Sequence, residues 1–237
     1  AVLQELPKKK ARNDTLLREQ LAVWFQEVRR LRSPIVAAYL QGILLSGARP
    51  GELRLLRWAD VDFQWQSLTL RDKVEGHRTI PLTPYFAALL HDLKARNDTP
   101  PQRLTKPRIV KQEGNVTEVL WQSSPWVFSS TSSATGWLKD PRSQHKQAYR
   151  RAEIEHLTLH GLRRSFGSLA EWTETPAGVV AQIMGHKPSA TVEKHYRVRP
   201  LDLLRMWHSK VEAWILEQAG IEQPTETQAP ALRIAKP

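Results

Sequence analysis

The chain contains no cysteine. That excludes a disulfide framework and a thiolate zinc site, and it fits a reducing cytoplasm, although a cysteine-free exported protein would look the same. No apolar run approaches the roughly 18 residues of a membrane-spanning helix, so no membrane partner is expected. The N-terminal stretch AVLQELPKKKARNDT lacks both an apolar core segment and a small-residue cleavage site, and does not read as a secretory signal. Eight histidines are present, but none falls in an HExxH or comparable ligand spacing, so neither a metal nor another cofactor is expected. Acidic residues are in deficit, 24 against 35 Lys and Arg, which leaves a net charge of +11. Such an excess points to a polyanion, most often nucleic acid, though a basic surface also serves solubility. With 237 residues, 41% of them hydrophobic, the chain is globular and long enough to bury a sizeable core.

Apolar spacing places most of the chain in helices. Residues 1–14 read as a polar linker whose basic run, Lys8, Lys9 and Lys10, is either a solvated tail or a phosphate contact. From Thr15, Leu17, Leu21, Trp24, Val28 and Leu31 recur at helical steps. Ser33-Pro34 starts a second helix that Ser46-Gly47 stops, and Pro50-Gly51-Glu52 opens a short third one. Ser67–Leu70 and Arg78–Leu82 read as two antiparallel strands with Lys73 in or beside their turn, and Val61–Trp65 is a candidate third strand. A helix begins at Thr83-Pro84. Residues 97–124 lack clear periodicity and read as a long basic loop or insert, followed by a short strand at Trp126-Val127-Phe128 and a helix from Gly136 or Pro141 to Ala152. Leu162, Phe166 and Leu169 mark the next helix. Thr175-Pro176 starts another that ends at Gly185, and Leu204, Trp207, Val211 and Trp214 mark the last. KARNDT occurs at 10–15 and again at 94–99, once before a helix and once after one, and is read as coincidence. The fold expected is mainly α with a small antiparallel sheet.

Four polar residues stand next to helix boundaries in the stretches HGLRRSFGSL and GHKPSATVEKHY: His160, Arg163, His186 and Tyr196. A fifth, Arg49, lies between Gly47 and Pro50 in SGARPGELRLL. Taken singly, each has an ordinary reading: a surface arginine, a helix-start histidine with an exposed arginine, a capping histidine and a packed tyrosine. Taken together they are what gripping a phosphodiester requires. A guanidinium fork holds two phosphate oxygens at once, imidazole donates or moves a proton near neutral pH, and a phenol becomes a nucleophile among positive neighbours.

GARPGEL at 47–53, HGLRRS at 160–165, MGH at 184–186 and the following Tyr196 resemble the catalytic domain of tyrosine recombinases, the phage-integrase family. The resemblance spans about Thr15 to Gly220, and it is the ordered combination that is specific. It implies that Arg49 and Arg163 bind the scissile phosphate, that Lys73 protonates the leaving 5′-oxygen, that His160 acts as acid and base near the tyrosine, that His186 donates a hydrogen bond to a phosphate oxygen, and that Tyr196 forms a 3′-phosphotyrosine link. Glu52 and Gly161 match supporting positions of the same motifs. Tyr196 follows His186 by one residue more than is common in the family, so the intervening segment is expected to be mobile, with Tyr196 away from Arg49 and Arg163 in the absence of DNA. The other tyrosines, Tyr39, Tyr85 and Tyr149, fall in expected helices.

The resemblance further implies double-stranded DNA as partner, a tetramer of the full-length protein on DNA, a host DNA-bending protein and an excision factor as accessories, and a nucleoid-associated place in a bacterial cytoplasm. It leads to an expected division into a basic interdomain linker (1–14), a catalytic domain (15–220) and a tail (221–237) open to exchange between protomers. The core-binding and arm-binding domains that family members carry have no room before residue 15, so the chain is expected to be part of a longer integrase. The expected function is site-specific DNA recombination, the integration or excision of a phage or other mobile element. Two readings stay beside it: DNA relaxation in the manner of a type IB topoisomerase, and a DNA-binding module without catalysis.

Overall fold

The computed structural model describes residues 14–72, 76–100, 108–112, 115–119, 121–186 and 198–223. At its centre lies helix α2 (Pro34–Ser46), buried from Val36 to Ser46 on every side. A helix apolar all round is stable only inside a core, and α2 is covered by helices α1 (Leu21–Arg29), α4 (Pro84–Asp98) and α6 (Leu159–Ala170) and the short α3 (Pro50–Arg54). The Ser33 hydroxyl accepts the Val36 amide at 3.3 Å and Pro34 opens the first turn, as the sequence pattern requires. Helix α1 begins at Leu21 after a single 3-10 turn, so Leu17 falls outside the buried stripe and is exposed.

Strands β1 (Val61–Asp62), β2 (Ser67–Asp72) and β3 (Gly76–Pro81) form one antiparallel sheet in that order. Leu68 pairs with Ile80 and Leu70 with Arg78. Directly opposed residues share a face, so the face that buries Leu68, Leu70 and Ile80 also carries Arg78. The stretch 97–124, expected as a loop, contains a second antiparallel pair, β4 (Arg108–Gln112) and β5 (Asn115–Val119). Its strands are too short and too polar to show a core-facing alternation, which is why the pattern was not legible. The base of this excursion is closed by Asn97, whose side chain both donates to the Ser124 carbonyl and accepts the Ser124 amide, each at 3.0 Å. Trp126-Val127-Phe128 is not a strand. It contributes a single bridge, Arg57 to Trp126, beside the Val127 amide bond to the Leu56 carbonyl.

Helix α5 (Arg142–Arg151) starts after Pro141, not at Gly136. Helices α7 (Ala177–Met184) and α8 (Leu201–Gln218) are the last two among the described residues. Tyr39, Tyr85 and Tyr149 lie in α2, α4 and α5, as expected. No helix among the described residues is long and apolar enough to cross a membrane.

Helix α8 packs on its own domain, against β3, α6 and α7. Its buried stripe is Leu204, His208, Val211, Glu212, Ile215 and Leu216, with Trp207 and Trp214 only partly covered. The two polar members are tied down. Glu212 accepts the Tyr85 amide at 2.8 Å, the Phe86 amide at 3.1 Å and the Thr83 hydroxyl, and so caps the start of α4. Burial nevertheless pushes its carboxyl up to about 7. His208 Nε2 donates to the Leu45 carbonyl at 2.8 Å, and His145 Nε2 to the Leu157 carbonyl at 2.8 Å; burial pulls both imidazoles down to about 4.

These groups oppose one another in acid. Between about pH 6.5 and 4.5 the unfolded chain protonates its histidines while buried His145 and His208 stay neutral, so stability falls with pH. Glu212 takes up its proton more readily folded than unfolded, so its contribution rises over the same window. Glu212→Gln is therefore expected to steepen the acid loss of stability by up to about 1.4 kcal/mol per pH unit. Urea unfolding of both proteins across this window measures it, and equal slopes would refute the assignment.

Candidate active site

The end of α2 sets the site. Gly47 adopts the left-handed conformation (φ 58°), and a Cβ there would lie 2.5 Å from Phe166 Cδ1, so only glycine fits. The chain then runs extended through Arg49 into Pro50, the first residue of α3, whose carbonyl accepts the Tyr39 hydroxyl at 2.8 Å. Glu52, in the first turn of α3, folds back: one carboxylate oxygen accepts the Arg49 amide at 3.0 Å and the other the Arg49 guanidinium at 2.6 Å. The helix start that the Pro-Gly-Glu pattern predicts thus also fixes the arginine preceding it.

The same carboxylate holds a second guanidinium. Arg78, from β3, grips Glu52 with both terminal nitrogens, Nη1 to Oε1 at 3.0 Å and Nη2 to Oε2 at 2.8 Å. The Glu52 side chain is only 7% exposed, that of Arg78 15%, and that of Arg49 38%, so one carboxylate anchors an inner and an outer guanidinium. Burial raises the Glu52 carboxyl, but the hydrogen bonds from Arg78 and Arg49 prevail and hold it below the usual carboxylate value. Both arginines reach on to the end of α7. Arg49 Nη2 donates to the Gly185 carbonyl at 2.8 Å and Arg78 Nε to the Ile183 carbonyl at 3.2 Å. Carbonyls at a helix C-terminus carry its negative pole, which is where cations are favoured.

Helix α6 brings the third arginine. Arg163 is buried, and its Nη1 donates to the Gly47 carbonyl at 2.7 Å, two residues before Arg49. The first turn of α6, which carries His160, is fixed by nested caps. The Thr158 hydroxyl accepts the Gly161 amide at 2.9 Å, and Asp14 accepts the Thr158 amide at 2.9 Å, the Thr158 hydroxyl at 2.5 Å and the Arg164 guanidinium. The Asp14 backbone crosses so close that a Cβ on Gly161 would meet its carbonyl oxygen at 2.4 Å, which accounts for glycine at that position. Asp14, the last residue of the expected linker, is thus bonded into the domain.

His160 and His186 stand at the solvent edge of this cluster. His186 follows Gly185 (φ 71°), and its amide donates to the Ala181 carbonyl at 2.9 Å. The protein packed along its inner side, then the charges of Arg163, Arg49 and Arg78, pull its imidazole below the ordinary value. His160 is lowered likewise, by packing and then by Arg163 and Arg164, with Asp14 opposing. Both are therefore neutral at pH 7, each with one ring N–H to donate.

The structure thus brings Arg49, Glu52, Arg163 and His186 together, with His160 beside Arg163 and Gly161 beneath. Tyr196, Lys73, Lys8, Lys9 and Lys10 lie outside the described residues. Sequence reasoning missed Arg78 and Asp14. For Arg78 a signal was available, because it stands two residues before Ile80 and the alternation that buries Ile80 turns Arg78 inward. Asp14 carries none, since its partners are more than 140 residues away.

Glu52→Ala is expected to lose about 3 kcal/mol of folding stability, the low end for breaking a buried ion pair because Arg49 is part-exposed. Urea unfolding at neutral pH measures it. A loss under about 1 kcal/mol would mark the bridge as an ordinary surface pair.

Comparison with known proteins bears on what this cluster is. The profile of the phage integrase family matches residues 25–200. Prophage integrase IntF of Escherichia coli (strain K12) is 53% identical over 209 residues, which is 88% of this chain but 40% of that protein, so the chain spans less than half the length of this relative. Among solved structures, the integrase from mycobacterium phage Brujita superposes with a TM-score of 0.58 at 18% identity, covering 91% of this chain and 65% of that one. The lambda integrase dimer bound to a COC′ core site gives 0.56 at 14% identity, covering 83% and 53%, and XerA recombinase 0.54 at 17%, covering 81% and 63%. At such identities the likeness is one of fold, and it agrees with the mainly helical domain and small antiparallel sheet. On the family match and the identity to IntF, the chain belongs to the phage integrase family.

Proposed function

We propose that this chain carries the catalytic apparatus of a tyrosine-type site-specific recombinase, which cuts and rejoins double-stranded DNA to integrate or excise a mobile element. The observation that carries the reading is the cluster of Arg49, Arg163 and His186, tied together through the Gly47 and Gly185 carbonyls and Glu52. Two guanidiniums on one carboxylate, with Arg163 held at the adjacent Gly47 carbonyl, leave an excess of positive charge beside two neutral imidazoles, an arrangement complementary to a phosphodiester that gains charge as it becomes pentacoordinate.

In this reading Arg49 and Arg163 hold the non-bridging oxygens and His186 donates an N–H to one of them. The Tyr196 phenol attacks phosphorus. The bond from its oxygen to phosphorus forms as the bond to the 5′-oxygen breaks, the phenol proton passes to His160, and Lys73 protonates the departing 5′-oxygen. One ester replaces another, so the reverse attack by a 5′-hydroxyl of a second strand rejoins the DNA without an external energy source. Lys8, Lys9 and Lys10 add phosphate contacts outside the site, Glu52 and Gly161 support it, and 1–14, 15–220 and 221–237 act as linker, catalytic domain and exchanged tail. The full-length protein works as a tetramer on DNA in the bacterial cytoplasm, at the nucleoid, with a host bending protein and an excision factor as accessories.

The test uses duplexes that carry the end sequences of the element encoding the chain, nicked next to the cleavage position so that the cut end diffuses away. Wild type is expected to yield a protein–DNA adduct that survives denaturation, and Tyr196→Phe none. No adduct from wild type on any such end would refute the catalytic reading in favour of a binding module, and an adduct from Tyr196→Phe would refute the nucleophile. Plasmid relaxation without exchange between two sites would support a topoisomerase instead.

A further inference from the structure

Arg78 joins Glu52 to the end of α7, yet its side chain is mostly buried. It grips both oxygens of Glu52, the carboxylate that also holds Arg49. Its Nε donates to the Ile183 carbonyl in the last turn of α7, three residues before His186. Gly185, between them, is in the left-handed conformation, and a Cβ there would stand 2.7 Å from the Arg78 guanidinium carbon, so the end of α7 is shaped around this side chain. Glu52 thus carries two arginines that both bond the end of α7 but differ in exposure, Arg49 at 38% and Arg78 at 15%. Lysine cannot replace Arg78, because one point donor cannot span two carboxylate oxygens and a carbonyl in fixed planar geometry.

We propose that Arg78 is a positioning residue for DNA cleavage: from β3 it locks Glu52, and through it Arg49, and seats the last turn of α7 so that His186 meets the same phosphate. The kinetic part of this inference rests on the recombinase reading; the structural part does not. The charges that act on His186 are those of Arg163 from α6, Arg49 from the turn before α3 and Arg78 from β3, the last two paired with Glu52 from α3. Removing Arg78 removes one of the three cations that depress its imidazole.

The test uses the 237-residue chain with Arg78→Gln, Arg78→Lys and, as a variant that keeps the arginine, Gly185→Ala, each under conditions where urea unfolding shows it folded. On saturating nicked duplex, all three are expected to form the covalent adduct roughly 10- to 100-fold more slowly in a single turnover, with the Kd for DNA little changed. In the DNA-free protein, NMR titration is expected to show the His186 imidazole moving up toward its ordinary value in Arg78→Gln. Full-rate cleavage by Arg78→Lys, a defect confined to Kd, or an unmoved His186 titration would overturn the proposal. If wild type forms no adduct, the recombinase reading fails, while the His186 titration still decides whether the Arg78 charge acts on the end of α7.

Discussion

The candidate site depends on one buried carboxylate. Glu52 holds Arg49 and Arg78 together, at 2.6–3.0 Å. Isolated in the protein interior, such a carboxylate would be costly to ionise. Isolated side by side, two guanidiniums would repel. Each solves the other's difficulty, and the pair of hydrogen-bonded arginines keeps Glu52 ionised despite its burial. Because two cations share one anion, the cluster is left positive, and Arg163 adds to that excess.

Further stabilisation of these charges comes from the ends of helices. Arg163 bonds the carbonyl at the end of α2, and Arg49 and Arg78 bond those at the end of α7. The cations therefore sit on the negative poles of two helices, and the two positions that allow such approach, Gly47 and Gly185, are left-handed glycines with no room for a Cβ. Behind them, His208 on α8 holds the last turn of α2 through Leu45, and Asp14 holds the first turn of α6. Among the described residues, the arrangement is tied to backbone carbonyls and opens to solvent at Arg49, His160 and His186.

Much of this was legible in the sequence. The helix starts at Ser33-Pro34, Pro50 and Pro84 and the stops at Gly47 and Gly185 follow from local chemistry, and that chemistry alone places Arg49 and His186 at helix junctions. The strand pair at 67–82 follows from alternation. What escaped is what depends on distant partners. Arg78 and Asp14 look solvated until Glu52 and Thr158 are brought to them. Glu212 and His208 look like the polar side of an amphipathic helix, yet lie within its buried stripe because each finds backbone partners, at Tyr85 and Phe86 for one and Leu45 for the other. The β4–β5 pair escaped because its strands do not contrast an apolar face with a polar one.

In the proposed function, the arginine cluster is built to take a tetrahedral oxyanion before DNA arrives. Sulfate keeps its charge across the range in which imidazole titrates, so it is the direct probe. In the DNA-free chain, sulfate added at constant ionic strength against chloride, followed by NMR of the histidine ring protons, is expected to perturb His160 and His186 saturably and raise both pKa values, because the anion offsets the arginine charges that now depress them. His77 and His91, outside the cluster, serve as controls. Sulfate that moves neither His160 nor His186, or that moves the controls equally, would show that the cluster is not a preformed oxyanion site.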